Sequence, residues 1–369
     1  MHLAAGGFEV DVLSTRIRDL HHDWNDDYYP AGPVREDGLC IRRFPAHRAD
    51  LGPFAGLNAR LMAGLPLHRR EELRFMAMHV NSFALYRYLA AHAADYAWVA
   101  FIPYLFGTTF HGTRLCPGKA VMIPCLHDEG YAHMSIMRDL FARVTRCVFH
   151  SEAEARLARR LFDVPPEKGV VLGTGVDPAD DADAERFRAR YGIRGPFVLY
   201  AGRKDATKNV PAMVRHFADW RARRSAEVAL VLIGPERVAL PPGATAWIHD
   251  LGFLPAADKQ DACAAASLVC QPSRNESFSL VIMEGWLQGK PCLVHAGCAV
   301  TREHAVRAGG GLPFANGAEF AAALDRILDD PGLARRMGEA GRAYVLANYR
   351  WDRIVARCRT EVFPAPSPA

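Results

Sequence analysis

The chain has 369 residues, half of them hydrophobic and 23% charged, the composition of a globular protein long enough to divide into two domains. Its formal net charge of +4 excludes the dense basic surface of a nucleic-acid binder and leaves phosphorylated ligands and anionic membranes open as partners. Nine cysteines stand at 40, 116, 125, 147, 263, 270, 292, 298 and 358, with no C-x-x-C pair. An odd, scattered set predicts neither a disulfide framework nor a zinc site and fits a reducing cytoplasm. No apolar run reaches the ~18 residues of a membrane helix, and "MHLAAGGFEV" lacks the basic and apolar regions of a secretory signal.

In chain order, "FEVDVLS" (8–14), "WVAFIPYL" (98–105), "AVMIPCL" (120–126) and "RCVFHS" (146–151) read as strands, apolar runs that end in polar or turn residues. "LRFMAMHVNSFALYRYLAAHA" (73–93) has helical periodicity, and Ser151 with Glu154 forms an S-x-x-E capping box that opens a further helix. Strands alternating with helices predict a parallel sheet with crossover helices. The acidic, Gly- and Pro-containing run 173–196 reads as a connection between domains.

The alternation then restarts. Strands are predicted at 197–202, 228–234, 246–254, 268–273 and 290–297, and helices at 209–220 and 258–267. The closing "PAPSPA" reads as a disordered tail. The class is α/β, with two sheets of similar plan.

Two stretches carry chemistry. "NESFSLVIMEGWLQGKP" (275–291) places Glu276 at the mouth of a helix starting near Phe278, and Glu284 within it. Ligands of open α/β sheets sit beyond the carboxyl ends of the strands, where helix N-termini point free N–H groups. Ser277, Glu284 and Gln288 fall on one face, which suits either a solvated stripe or a ligand wall. A carboxylate is a natural acceptor for the two hydroxyls of a ribose. "YAGRKDATKNV" sets Arg203 and Lys208 straight after an apolar strand, where two cations can neutralise a diphosphate and the charge developing on it as a leaving group; as isolated residues they read more readily as solvated charges.

Together, "GR" and "KN" (Arg203, Lys208, Asn209), "PSRNESFSLVIMEG" with its E-x7-E pair, the "GKP" turn, "GGGLPF" and "YRWDRI" resemble the family 4 glycosyltransferases, retaining enzymes of GT-B fold. The resemblance runs from about residue 8 and is densest over 197–350. It implies two Rossmann-like domains facing a cleft: an acceptor-binding domain (1–175), on which a C-terminal helix (350–369) packs back, and a nucleotide-sugar donor domain (176–349). By the same resemblance Arg203 and Lys208 bind the donor diphosphate. Glu276 meets the sugar hydroxyls, the backbone N–H groups of Phe278, Ser279 and Leu280 hold sugar and phosphate, and Glu284 takes the ribose diol. His127 in "IPCLHDEGYAH" matches a histidine that positions the donor sugar. A lone histidine at a strand end also reads as structural, as His133 nearby illustrates.

The family's glycine after the phenylalanine is Ser279 here, and serine lacks glycine's freedom at positive φ. The chain opens on what reads as the end of a first helix, so the family's first strand and glycine-rich loop are expected to be missing. "FGTTFHGT" (106–113) reads as a loop that could line the acceptor side. "DAD" (181–183) reads as solvated linker rather than a metal site. No cofactor or metal is expected, Arg203 and Lys208 doing a metal's electrostatic work.

The implied partners are a nucleotide sugar and a glycan or lipid-linked acceptor. Arg69, Arg70 and Arg74 could touch the inner face of an anionic membrane, although a solvated helix face explains them as well. The alternative is a non-catalytic sugar-nucleotide-binding paralogue. An epimerase or phosphorylase of the same fold is a third reading.

Overall fold

A computed structural model describes residues 1–19, 22–224 and 227–364. The tail expected from 364 lies outside the described residues beyond Pro364. The chain forms two α/β units, Met1–Gly173 with Asp352–Ala369, and Thr174–Trp351.

The first unit holds β1 (Asp11–Thr15), β2 (Gly32–Glu36), β3 (Leu39–Phe44), β4 (Val99–Phe101), β5 (Ala120–Met122), β6 (Arg146–Phe149) and β7 (Gly169–Val171). They fall into two sheets, β1-β3-β2 and β4-β5-β6-β7, and the second is parallel throughout. β2 and β3 form a hairpin that the sequence analysis passed over. Its two-residue loop, Asp37–Gly38, has both residues at positive φ, the geometry that makes Asp-Gly a strong hairpin signal.

Among the described residues β1 pairs only with β3, and β4 only with β5. Each therefore keeps an unpaired margin among the described residues. Phe75, Phe110, Phe141 and Phe149 fill the core of this unit. The terminal segment, helix Trp351–Arg357 continued by a π-turn Cys358–Val362, joins it through Arg146, which donates to Val362 O at 2.9 Å, and through Arg357, which donates to Val171 O at 3.0 Å.

In the second unit β8 (Phe197–Ala201), β9 (Ala229–Ile233), β10 (Ile248–Gly252), β11 (Leu268–Gln271), β12 (Cys292–His295) and β13 (Gly311–Phe314) form one parallel sheet of order β10-β9-β8-β11-β12-β13. This is the doubly wound Rossmann order, with its reversal between β8 and β11. Alternate residues serve opposite faces. Phe197, Leu199, Val231 and Ile233 enter one core, and Val198, Tyr200, Leu230 and Leu232 the other. Burial on both faces explains why these strands read as continuous apolar runs, and each such side chain contributes about 1.5–3 kcal/mol of transfer free energy.

Several expectations need correction. The helical run 73–93 is two helices, Arg69–Met78 and Phe83–His92. Asn81 Nδ2 donates to Met76 O at 2.8 Å and His79 O at 2.7 Å, taking up carbonyls that a continuing helix would use. Residues 106–113 are mostly helical, as Gly107–Gly112 and Thr113–Leu115. The boundary between the units falls within the run 173–196, after Gly173, and the rest of that run belongs to the second unit. Asp183 of "DAD" caps helix Ala184–Tyr191 by accepting from Glu185 N and Arg186 N, so it is a helix cap rather than linker, although it is exposed as expected. Ser151 caps helix Glu152–Phe162 as predicted, while Glu154 also reaches beyond the box to accept from Leu126 N and His150 N, each at 2.6 Å.

Candidate functional site

Where the strand order reverses, a cavity of about 320 Å³ opens beyond the carboxyl ends of β8 and β11, within the size range of small-molecule sites. Arg203, Lys208, Glu276, Ser279, Leu280 and Glu284 all line it. Phe278 does not. Its ring is buried and packs edge-on against His304 and Tyr349, with centroids 5.3 and 4.9 Å away. His127 belongs to the other unit.

The loop after β8 positions the cations. Asp205 accepts from Lys208 N at 3.0 Å and pairs with Arg203 at 3.2 Å. Burial pulls the Asp205 carboxyl upward, but the Thr207 hydroxyl, the Lys208 amide and Arg203 outweigh it and hold the group below its ordinary range. Asn209 at φ +60 ends the loop, and its side chain donates to Pro272 O at 3.1 Å, tying this loop to the one after β11. Lys208 crosses between them and meets Glu276 at 2.7 Å. Lys204 stands between the two predicted cations yet turns inward, fully buried and paired with Asp250 of β10. It is an anchor for the loop.

The helix carrying Glu284 starts at Leu280, two residues later than predicted, and runs to Leu287. Ser277 is therefore outside it, and the shared polar face is not formed. Gln288 instead donates to Ala179 O at 2.9 Å. Glu284 is buried, 8% exposed, so the reading of a solvated stripe fails. Lys259 of helix Ala256–Ala265, which the sequence analysis missed, meets Glu284 Oε1 at 2.6 Å and lines the same cavity. Glu284 Oε2 is buried with no hydrogen-bond partner.

Tyr200 and Gln271, also missed, lie at the cavity wall. Burial drives the Tyr200 phenol well above its usual range, with Glu276 and Asp205 adding to the effect. Gln271 Oε1 is a second buried acceptor without a partner, and such groups cost about 1–3 kcal/mol each. Ser279 occupies the position before the helix at φ +73, ψ 79 without a side-chain capping bond, a conformation costing a residue with a Cβ roughly 1–2 kcal/mol.

In the first unit His127 Nδ1 lies 3.7 Å from Glu129 Oε1, and that oxygen also accepts from the buried Tyr104 hydroxyl at 3.2 Å. Asp128 is engaged by His133 and Arg160, so His133 has the structural role that the sequence allowed it. Arg69 pairs with Asp139 at 2.9 Å, while Arg70 and Arg74 are exposed. No helix among the described residues is long and apolar enough to cross a membrane.

Comparison with known proteins accounts for both units. The family model described as "Glycosyl transferase 4-like domain" matches residues 1–175, and that described as "Glycosyl transferases group 1" matches 183–344. A D-inositol 3-phosphate glycosyltransferase of Salinispora arenicola is 30% identical over 58% of this chain, and the match spans about half of that relative's length, 54%. D-inositol 3-phosphate glycosyltransferase 1 of Catenulispora acidiphila is 30% identical over 96% of this chain and 89% of its own. Among solved structures, a sucrose-phosphate synthase from Thermosynechococcus elongatus superposes with a TM-score of 0.71 at 18% identity, covering 96% of this chain and 88% of that one. The motifs, the two Rossmann-like units and these matches agree: the chain belongs to the family 4 glycosyltransferases of GT-B fold.

Proposed function

We propose that the chain transfers a glycosyl group from a nucleotide sugar bound in the cavity of the second unit to a glycan, lipid-linked or small polyol acceptor, with retention of anomeric configuration. The observation that carries this reading is the gathering of Arg203, Lys208, Glu276 and Glu284 around one cavity at the strand-order reversal. These residues are separated by up to 81 positions in the chain (284 − 203).

In this reading Arg203 and Lys208 hold the diphosphate. Lys208 leaves its pairing with Glu276 as the phosphates arrive and frees that carboxylate for sugar hydroxyls. Glu284 accepts from the ribose through its unpaired Oε2, and the N–H groups at the start of the helix from Leu280 face the phosphates. The two cations supply the leaving-group stabilisation that a metal provides elsewhere, so the reaction is proposed to be metal-independent. His127 is assigned the positioning of the donor sugar. The relatives named for D-inositol 3-phosphate make polyol phosphates the first acceptors to try. Arg70 and Arg74 are proposed to give weak contact with the inner face of an anionic membrane.

Calorimetry with UDP-, GDP- and ADP-sugars tests the donor site. Glu284→Ala should weaken the preferred donor by about tenfold or more, as expected for a lost charge-assisted hydrogen bond. Lys208→Ala should abolish turnover, whereas the unaltered chain should turn over equally with and without EDTA, and NMR of its product should show the donor's anomeric configuration. Unchanged donor affinity in the glutamate variant would reject the assignment.

A further inference from the structure

Two side chains in the cavity wall do not follow from the motif that identifies the family. Gln271 ends β11, whose other residues, Leu268, Val269 and Cys270, are apolar. It is 5% exposed. Its Nε2 donates to Ser279 Oγ at 3.4 Å, and its Oε1 is buried with no partner. Ser279 sits in the left-handed region, where glycine would be free of strain. An unpaired acceptor and a strained backbone thus adjoin in one wall, and an apolar residue at 271 with glycine at 279 would remove both penalties. Their placement at a ligand cavity gives them a use that the fold does not require.

We propose that Gln271 and Ser279 form a donor-specificity pair, selecting nucleotide sugars whose glycosyl group presents a hydroxyl to Gln271 Oε1. The inference rests on the donor-site reading above. Rotation about the terminal torsion of a glutamine is soft, so a small turn that keeps Nε2 on Ser279 can bring Oε1 to the cavity when a donor group arrives. A diphosphate at neutral pH offers only acceptors and leaves the carbonyl oxygen unsatisfied. Glu284, with its own unpaired oxygen beside Lys259, serves the ribose. The glycosyl hydroxyls remain as the partner, and Ser279 stands three residues from Glu276, which reads as a contact for the same sugar. With Gln271 Nε2 on its oxygen, the Ser279 hydroxyl is left to donate, so the pair offers one acceptor and one donor side by side, the complement of a single hydroxyl.

The test is calorimetry on the intact chain with UDP, GDP, UDP-glucose, UDP-galactose, UDP-N-acetylglucosamine and GDP-mannose. Gln271→Met should weaken the preferred nucleotide sugar about tenfold, the scale of one lost hydrogen bond, while the parent diphosphate stays within about twofold. Ser279→Gly should likewise narrow the preference between sugars while raising Tm, a combination that a purely structural role would not give. Equal losses for sugar and diphosphate, or no loss, overturn the pair. If the wild-type chain binds the diphosphates but no sugar more tightly than they bind, the pair falls and the nucleotide site stands. If it binds neither, the donor-site reading falls with it.

Discussion

A carboxylate inside an apolar helix needs a partner, because leaving it alone costs more than the surrounding packing returns. Glu284 has half of one. Lys259 holds Oε1 at 2.6 Å, and Oε2 is buried with no hydrogen-bond partner. Lys259→Met should lower the urea midpoint by an amount equivalent to about 1–3 kcal/mol. The double variant Lys259→Met/Glu284→Gln should lose less than the sum of the single ones, because the charge is no longer stranded. The E-x7-E spacing and the Arg203/Lys208 loop were legible in the sequence, since each motif lies within one short segment. Lys259 was not. It stands 25 residues before Glu284 (284 − 259), and only packing of their two helices brings the pair together. Gln271 did leave a trace, one polar residue closing an apolar strand.

At the scale of elements, the site helix is placed by close backbone approach. A Cβ on Gly285 would lie 2.6 Å from Val269 Cγ2 of β11, and one on Gly341 would lie 2.2 Å from Trp286 Cδ1. The helix is held between the sheet and helix Pro331–Asn348, with Trp286 Nε1 donating to Gly310 O at 2.8 Å. Gly285→Ala must push the helix off β11, an overpacking cost of about 1–3 kcal/mol. The expected result is a lower Tm together with weaker donor binding, because Glu284 shifts with the helix. A lower Tm with donor affinity unchanged would disconnect the packing from the site. Strand and helix alternation was readable because buried parallel strands advertise themselves as apolar runs. The break at His79–Ser82 was not, because it depends on where the Asn81 amide reaches, and periodicity continues straight across it.

At the scale of the molecule, two buried histidines, one in each unit, contribute to the loss of stability in acid. Burial pushes His79 and His304 down to about 3, against about 6.5 in an unfolded chain. As pH falls from 6.5 toward 3 the unfolded chain takes up protons that the folded one refuses. Stability present above 6.5 is therefore lost in that window, by at most about 1.4 kcal/mol per pH unit for each histidine. Glu154 acts with the opposite sign. Burial raises its carboxyl to about 8 despite backbone N–H donors, so its contribution erodes as pH rises from about 4.5 toward 8. His304→Phe should flatten the acid limb of the second unit, read from urea midpoints between pH 4.5 and 7. An unchanged slope would remove His304 from this account.

The two margins left open on β1 and β4 have a kinetic consequence. Ala100, midway along β4, is exposed, whereas β8, β9 and β11 are sealed on both faces. Deuterium should enter the amides along the outer side of β4 within the first seconds of labelling, and those of β8 and β11 only on global opening. The first half of the chain would then be the part whose grip on its own backbone loosens soonest when temperature or denaturant rises.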